Sequence, residues 1–227
     1  MAPKLVYTSR RRFIQLMGAS APAVMTPTAL AEALTRTPPQ TEGPFYPADL
    51  PLDTDNDLVR VNNASDVAAG EVTHLTGRVL GPNGEPIRGA TVEIWQVDSH
   101  GIYLHKDSSH HDQRDTHFQG FGRFLTNRKG AYYFRTIKPV PYTFGVERAP
   151  HIHVVVNHGD KRLLTTQLYI KGHPLNEEDF VLNRVQDKAA RQNVLVPFNK
   201  RPDTPAPELA ARFDIILGTT PPDPDDQ

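Results

Sequence analysis

The fold is decided by the stretch T-H-L-T-G-R-V-L-G-P-N-G at residues 73–84. Its first part alternates less polar with polar side chains, and this period of two is typical of a half-buried β-strand. The letters G-P-N-G then provide the residues that a tight turn requires. A second run, A-T-V-E-I-W-Q-V at residues 90–97, places Val92 and Ile94 on one face. The stretch therefore predicts two β-strands with a turn between them.

Strand character recurs along the rest of the chain. Further runs rich in β-branched and aromatic residues lie at 122–126, 131–136, 151–157, 163–170 and 213–217. The first two are predicted to form a hairpin around a turn at 127–130, and the next two pair around a turn at 158–160. Short strands at this spacing, without alternating helices, are typical of a β-sandwich.

Helical patterns are scarce. They are confined to one or two turns within residues 176–192 and to a short segment at 207–212. The segment 98–120 is a long loop rich in His and Asp, and loops of this length in a compact domain often carry function. The fold class that we expect is therefore all-β, a β-sandwich with long loops and little helix.

The composition excludes several classes of function. The 227 residues carry a net charge of −1, which provides no basic field for nucleic acid. The chain contains no cysteine, so disulfides, thiolate metal sites and cysteine nucleophiles are excluded. The 21 prolines and 15 glycines favour many turns over a helical bundle. No apolar run reaches the ~18 residues of a membrane-spanning helix, so we expect no membrane span.

The N-terminus resembles an export signal. The letters S-R-R-R-F-I-Q at residues 9–15 match the twin-arginine pattern, an apolar stretch follows, and A-L-A at 29–31 offers a cleavage site. We expect residues 1–31 to be a signal peptide, removed after Ala31, and the mature protein to be periplasmic or secreted. This route exports folded proteins that often already hold a cofactor.

Three further segments follow the signal peptide in the predicted domain organisation. Residues 32–70 are rich in proline at their beginning and are expected to wrap the core as an extended arm. Residues 71–218 should form the β-sandwich domain, and 219–227 a frayed, Pro- and Asp-rich tail.

A His-x-His pair suggests a metal site. His151 and His153 follow Pro150 and precede three valines, which favours a strand with both imidazoles on one face. Two such imidazoles can bind a metal through bonds of about 2 Å. Histidines 105, 110, 111 and 117 lie in the long loop and are candidates for further ligands. A carboxylate as third ligand would suit non-haem Fe(II), and a third histidine would suit zinc or copper.

A series of longer motifs makes the sequence recognisable. They are T-E-G-P-F-Y-P at 41–47, L-T-G-R-V-L-G-P-N-G-E-P-I-R-G-A-T-V-E-I-W-Q at 75–96, G-I-Y-L-H at 101–105, G-F-G-R-F-L-T-N-R-K-G-A-Y-Y-F-R-T-I-K-P-V-P-Y at 120–142, R-A-P-H-I-H at 148–153 and T-T-Q-L-Y at 165–169. In this order and spacing they resemble the intradiol ring-cleavage dioxygenases, the family of protocatechuate 3,4-, catechol 1,2- and hydroxyquinol 1,2-dioxygenases.

The resemblance implies a ligand set. The family holds one Fe(III) ion with two tyrosinates and two histidines. On the motifs, the ligands here would be Tyr103, Tyr142, His151 and His153, with Tyr142 the axial ligand that substrate displaces. Phenolate oxygen is a hard anionic donor that suits a trivalent ion, and such an ion stabilises phenolates whose free pKa is near 10.

The resemblance also implies a reaction and two further site residues. The partners would be a catechol-type small molecule and O₂, and the product a cis,cis-muconate-type diacid; the sequence leaves a homo-oligomer open. Arg148 would stabilise the carbanion-like ring, although a surface ion pair with Glu147 would also explain it. Gln167 would lie beside the same pocket, or satisfy buried backbone groups. Tyr46 would line the pocket or anchor the arm.

Two features complicate the resemblance. The stretch 143–147 differs from the better-known members of the family, which disfavours aromatic acids such as protocatechuate as substrates. The motif at 75–96 also resembles transthyretin-like β-sandwiches, which are binding or structural modules without turnover. Such a module has no need for two tyrosines and the R-x-x-H-x-H motif.

Overall fold

The computed structural model describes residues 34–62, 64–202 and 206–222. The predicted signal peptide lies outside these residues, as does the end of the predicted tail. Within these ranges, no helix is both long and apolar enough to cross a bilayer.

In the part of the chain that the structure describes, two five-stranded sheets and a two-stranded ribbon form the fold. The first sheet contains β1 (Val72–Leu80), β4 (Ala131–Ile137), β10 (Phe198–Lys200), β11 (Leu209–Arg212) and β12 (Ile215–Ile216). The second contains β2 (Ala90–Trp95), β3 (Phe121–Leu125), β7 (His151–His158), β8 (Lys161–Ile170) and β9 (Leu195–Val196). The ribbon pairs β5 (Tyr142–Phe144) with β6 (Val146–Arg148). The all-β prediction is confirmed.

Helix is scarce among the described residues, as expected. In those ranges, three 3₁₀ turns and one α-helix, α1, cover His111–Gln113, Pro174–Glu177, Leu182–Arg184 and, for α1, Lys188–Asn193. Asp187 caps α1 by accepting hydrogen bonds from the backbone of Ala189 and Ala190.

The core lies between the two sheets. β1 and β4 contribute Leu75, Val79 and Phe134, and they pack against apolar residues of β2 and β7. On β7 the even-numbered residues 152, 154 and 156 belong to this core. Because side chains alternate along a strand, the odd-numbered residues point to the opposite face of the second sheet.

That opposite face is also buried. A smaller cluster covers it, formed by Trp95 and Val155 of the sheet, Tyr103 of the long loop and Phe45 of the arm. The arm is tied to both sheets, since Thr37 donates to the backbone of Ile216 and Gln40 to that of Thr165. β7 is consequently buried on both faces along most of its length, although its sequence includes three histidines and an asparagine.

Two local predictions were wrong. β3 and β4 do not form a hairpin, because β3 pairs with β2 and β4 pairs with β1, in different sheets. The turn at 127–130 instead carries the chain from one sheet to the other, and Thr126 anchors it by donating to the carbonyl of Ile87. Residues 209–212 form a parallel strand with β1 rather than a helix. The strand conformation buries the alternate residues Leu209 and Ala211 in the core.

Candidate metal centre

Four side chains that the sequence singled out meet on the covered face of the second sheet. The Nε2 atoms of His151 and His153 lie 3.2 Å apart. The hydroxyl oxygen of Tyr103 is 3.0 Å from Nε2 of His153 and 3.5 Å from Nε2 of His151. The ring of Tyr142 stands edge-on to that of Tyr103, with centroids 5.1 Å apart. The shared face predicted for the two histidines is confirmed.

Strand pairing places the histidines among specific neighbours. In the antiparallel sheet, His153 lies opposite Trp95 of β2 and Gln167 of β8, while His151 lies opposite Tyr169. Residues that face each other across such strands share a side of the sheet. The indole of Trp95 stacks on the His153 ring, with centroids 4.6 Å apart and planes 9° from parallel.

The long loop and the ribbon supply the two tyrosines. The loop turns back at Gly101, which has a φ of 80° that favours glycine. Tyr103 then inserts against the sheet, where its backbone N–H donates to Ser108 and its ring stacks on Phe45 at 4.7 Å. Tyr142 opens the ribbon and is paired in register with Arg148.

The hydrogen bonding of His151 fixes which nitrogen faces the centre. Its Nδ1 lies 2.6 Å from the carbonyl oxygen of Ala149. A carbonyl oxygen only accepts, so Nδ1 carries the proton and Nε2 presents a lone pair to the other donors. A hydrogen bond from the remote ring nitrogen is the usual way in which proteins orient a ligating histidine. The Nδ1 of His153 has no hydrogen-bond partner among the described residues.

Burial holds all four groups in their neutral forms. It lowers the pKa of His151 to about 4, with the nearby Arg148 cation adding to the effect. Burial and the neighbouring His151 lower the pKa of His153 in the same direction. The pKa values of Tyr103 and Tyr142 are raised, again mainly by burial. Neutral imidazole is the ligating form, and a bound cation would reverse the direction of the two tyrosine shifts.

The spacing of these donors suits one metal ion. With bonds of about 2.0–2.1 Å, two donors at a right angle are ~2.9 Å apart and two at 120° are ~3.5 Å apart. The three distances among Tyr103, His151 and His153 are 3.0, 3.2 and 3.5 Å. The oxygen and nitrogen donors present therefore fit a single ion of ordinary coordination geometry.

Three of the four loop histidines considered as further ligands are engaged elsewhere, and the fourth, His110, lines a cavity between the long loop and the ribbon. His105 accepts from the backbone of Asp107, His111 contacts the carbonyl of Leu104, and His117 lies 3.4 Å from Asp115. Within the described ranges, no group of three or more histidines and carboxylates is placed to hold a metal. The third-histidine and carboxylate alternatives thus gain no support, whereas the Tyr103 oxygen lies within 3.5 Å of both histidine nitrogens.

Arg148 is buried beside the four donors, and only 6% of its surface is exposed. Its Nε donates to Asp179 at 2.8 Å, so the interpretation of a surface ion pair with Glu147 is wrong. Its Nη1 lies 3.5 Å from the hydroxyl of Tyr142. Burial alone would lower the pKa of Arg148, but Asp179 more than offsets this and the cation persists.

Gln167 joins the arm to Arg148. Its amide nitrogen donates to the carbonyl of Thr41 at 2.9 Å, and its oxygen accepts from Arg148 at 2.9 Å and from Tyr169 at 2.8 Å. Gln167 therefore satisfies a buried backbone group and also contacts the cation, while its place beside a substrate pocket stays a prediction.

Sequence reasoning missed several residues of this region. Phe45 and Trp95 stand within recognised motifs, but nothing local shows that they stack on Tyr103 and His153. Asp179 lies in the acidic run N-E-E-D, which resembles an exposed turn. Tyr46 anchors the arm, since its hydroxyl donates to the buried carboxylate of Glu93 at 3.1 Å.

The fold and this constellation define a class of protein, and comparison with known proteins identifies it. The profile of a family described as "Dioxygenase" matches residues 41–219, most of the chain. The chain therefore belongs to the intradiol ring-cleavage dioxygenase family and is an oxidoreductase of that class. A transthyretin-like module without turnover does not account for the four converging donors.

Named relatives lie within the same family. The chain is 35% identical over 180 residues to the protocatechuate 3,4-dioxygenase beta chain of Burkholderia cepacia, covering 77% of this chain and 76% of the relative. It is 32% identical to catechol 1,2-dioxygenase 1 of Acinetobacter lwoffii, over 73% of this chain but only 54% of that enzyme. The chain thus spans about half the length of this second relative.

A solved structure shows the same fold. It is the dioxygenase domain of a dioxygenase carbohydrate-binding protein fusion from Streptomyces sp. SirexAA-E. The TM-score is 0.59 with 28% identity, and the match covers 82% of this chain and 99% of that domain.

Proposed function

We propose that the protein is a non-haem Fe(III) dioxygenase that cleaves a catechol-type ring between its two hydroxyls, using O₂, to give a cis,cis-muconate-type diacid. The observation that carries the proposal is the convergence of Tyr103, Tyr142, His151 and His153 within one buried cluster. When bound, a ferric ion would supply the Lewis acidity that makes an electron-rich ring reactive towards O₂.

The two histidines and Tyr103 would hold the ion permanently. They are almost fully buried, and the arm and the sheet pack around them through Phe45 and Trp95. Such packing excludes water and limits the movement of the donors, as a preorganised centre requires. Phenolate oxygen and neutral imidazole are suitable donors for a trivalent ion, and the cation would offset the burial that keeps free Tyr103 protonated.

Tyr142 would exchange with substrate. It is only half-buried, whereas the other three proposed ligands are buried. A cavity of about 940 Å³ lies beside it, between the long loop and the ribbon, with Ile102, His110 and Phe144 among its walls. We propose that the phenolate oxygen of Tyr142 accepts a proton from one catechol hydroxyl as the ring takes its place.

Arg148 would act on the ring once it is bound. Its Nη1 already points at the hydroxyl of Tyr142, the position that a substrate oxygen would take over. A fixed cation there stabilises negative charge on the ring while oxygen attacks. Gln167 would support this cation through its hydrogen bond to Nη2.

Purification of the full chain with ferric iron tests the proposal. We expect one iron per chain, a red colour from tyrosinate-to-iron charge transfer, and oxygen uptake with at least one member of a catechol panel. Tyr142→Phe should shift the visible band and remove turnover, whereas Tyr133→Phe, a tyrosine that contacts His74 instead, should change neither. A colourless protein that binds no iron would contradict the metal site, and bound iron without intradiol product would contradict the reaction.

We also propose that the protein is exported by the twin-arginine route. The support is the sequence S-R-R-R-F-I-Q with the A-L-A site that follows. Replacing Arg10 and Arg11 by lysine should abolish export, and the N-terminus of the exported protein should be Glu32. Export that is unaffected by the two lysines would contradict this route.

A further inference from the structure

One buried carboxylate beside the metal centre has no role in the function proposed above. The side chain of Asp179 has no exposed surface. It accepts five hydrogen bonds, from Nε and Nη2 of Arg148 at 2.8 and 3.4 Å and from the backbone N–H groups of Ala149, Val181 and Leu182 at 3.1, 3.0 and 2.9 Å. A buried carboxylate with this many donors is ionised and rigidly held.

The carboxylate determines how the guanidinium of Arg148 is turned. A guanidinium is a planar fork, so fixing two of its nitrogens fixes the third. Asp179 binds Nε and Nη2, and Gln167 takes a further hydrogen of Nη2. The remaining nitrogen, Nη1, is thereby aimed at the hydroxyl of Tyr142.

The same carboxylate also reaches towards a histidine of the centre. It binds the backbone N–H of Ala149, and the carbonyl of Ala149 accepts the Nδ1 proton of His151. Asp179 lies in the short segment between two 3₁₀ turns, far along the chain from both groups. It therefore connects this segment to the strand end that carries Arg148 and to the approach to His151.

We propose that Asp179 is a positioning residue for the ring-cleavage reaction: it holds Arg148 with Nη1 directed at the substrate oxygen that replaces Tyr142. The inference rests on the proposed function. Asp179 would not contact the substrate itself, because its effect on the reaction passes through Arg148. Misplacing a catalytic group by ~1 Å can cost about 100-fold in rate.

Asp179→Asn in the iron-loaded full chain is the first test. Asparagine keeps the shape and one acceptor for the backbone but loses the charge that orients the guanidinium. We expect kcat for the best catechol to fall about 100-fold, while KM, iron content and the visible band change little. Asp214→Asn is the matched control, because Asp214 pairs with the exposed Arg212; it should leave kcat unchanged.

A double-mutant cycle with Arg148→Gln shows whether the effect passes through Arg148. If Asp179 acts by positioning, adding Asp179→Asn to Arg148→Gln should lower kcat no further. An equal fold-loss in both backgrounds would overturn the proposal and make Asp179 a structural residue. Should Asp179→Asn fail to fold, Asp179→Glu serves instead, since it keeps the charge but displaces it by one methylene; unchanged kcat in that variant would also overturn the proposal.

A measurement that does not depend on turnover can test the positioning of Arg148 separately from the proposed reaction. In the full chain purified without metal, the Nε–H of Arg148 should give a slowly exchanging, downfield NMR signal that Arg148→Gln removes. Asp179→Asn should shift this signal or bring it into fast exchange. An unchanged signal would refute the positioning even if the enzyme is active, whereas a lost signal with no activity in the wild type would refute the reaction and leave the positioning of Arg148 in place.

Discussion

At the scale of single residues, the centre combines neutral donors with one internal ion pair. Tyr103, His151 and His153 carry no charge in the metal-free protein, while Arg148 and Asp179 neutralise each other beside them. A site whose cation is already paired with a carboxylate leaves the four donors free for a metal. The charge balance of the site therefore depends on both members of the pair being present.

Replacing Arg148 tests this dependence. Arg148→Ala should retain iron and colour, lose most turnover, and lower the free energy of unfolding by about 3–5 kcal/mol, because it leaves Asp179 buried without a counter-charge. Chemical denaturation measures the stability. Arg212→Ala, which removes an exposed ion pair, should cost no more than about 1 kcal/mol. An Arg148→Ala protein as stable as the wild type would contradict the buried-pair interpretation.

The predictability of the site from sequence differs between its residues. The shared face of His151 and His153 follows from spacing alone, since residues two apart on a strand share a face. Tyr103 and Tyr142 could only be placed by resemblance, because a lone tyrosine is usually a packed aromatic. Asp179 could not be found either way, since no local pattern distinguishes an acid that meets a distant arginine from one in solvent.

At the scale of elements, β1 is the strand around which the first sheet is built. It pairs with β4 on one side and with β11 and β12 in succession on the other. The backbone at Phe213 passes close to Gly77 of β1. A Cβ added to Gly77 would collide with the carbonyl oxygen of Phe213 and with the hydroxyl of Tyr132. The glycine in the T-G-R motif is thus required by space, since its φ lies outside the left-handed region.

Gly77→Ala tests that close approach. The collision involves backbone, which cannot move aside cheaply, so we expect a loss of about 3 kcal/mol in the free energy of unfolding. Gly159→Ala is the matched control, because its Cβ would meet open space and only the φ of 54° carries a penalty, of about 1–2 kcal/mol. Equal losses in the two variants, measured by thermal denaturation, would contradict the steric explanation.

A polar network near the start of β11 gives the same sheet a pH dependence. Glu208 accepts from His74 of β1 at 2.9 Å and from Arg201 at 3.1 Å, and His74 also contacts Tyr133 of β4 at 2.7 Å. The hydrogen bond with His74 is the main cause that lowers the pKa of Glu208, and the charges of His74, Arg201 and Arg135 add to it.

The sign of the effect follows from the lowered pKa. The Glu208 carboxylate contributes stability above its unfolded pKa of about 4.3, and the contribution is lost as pH falls through the lower folded value. Glu208→Gln should therefore lower the melting temperature at pH 7 and have a smaller effect at pH 3. A difference between the variant and the wild type that does not change with pH would contradict this assignment.

Strand existence could be predicted from sequence far better than strand pairing. The patterns at β1, β7 and β8 were sufficient to predict these strands. The local alternation of side chains decides both whether a segment forms a strand and which face it buries. The wrong hairpin and the wrong helix at 207–212 have one cause. A turn sequence does not state whether the strands beside it pair with each other, and a four-residue strand is decided by its distant partner, here β1.

At the scale of the whole molecule, the centre is assembled by parts far apart in the chain. The arm, the long loop, the ribbon and the second sheet each contribute to it. Tyr103 and His153 are 50 residues apart, and Gln167 reaches the arm across 126 residues. Long-range packing and hydrogen bonds of the folded chain therefore fix the positions of the donors.

Removal of the metal should accordingly leave the fold intact. We expect a chelated protein to lose its colour and activity, to keep the far-ultraviolet circular dichroism of a β-protein, and to melt at a lower temperature. The lost stabilisation would be about 4 kcal/mol for an ion present at 1,000 times its dissociation constant. Ferric iron should restore all three properties, and a chain that unfolds on chelation would contradict a preformed centre.

The parallel pairing of β11 and β12 with β1 has a consequence for the rate of folding. The backbone N–H of Arg78 in β1 donates to the carboxylate of Asp214, which lies 136 positions further along the chain, and β12 pairs with the end of the same strand. Contacts this remote demand a large loop-closure entropy before they yield any stabilisation, so the fold should form in milliseconds to seconds rather than microseconds. Until residues 209–216 have docked, one edge of β1 stays open to pairing with another chain, and this late step is where aggregation would compete with folding.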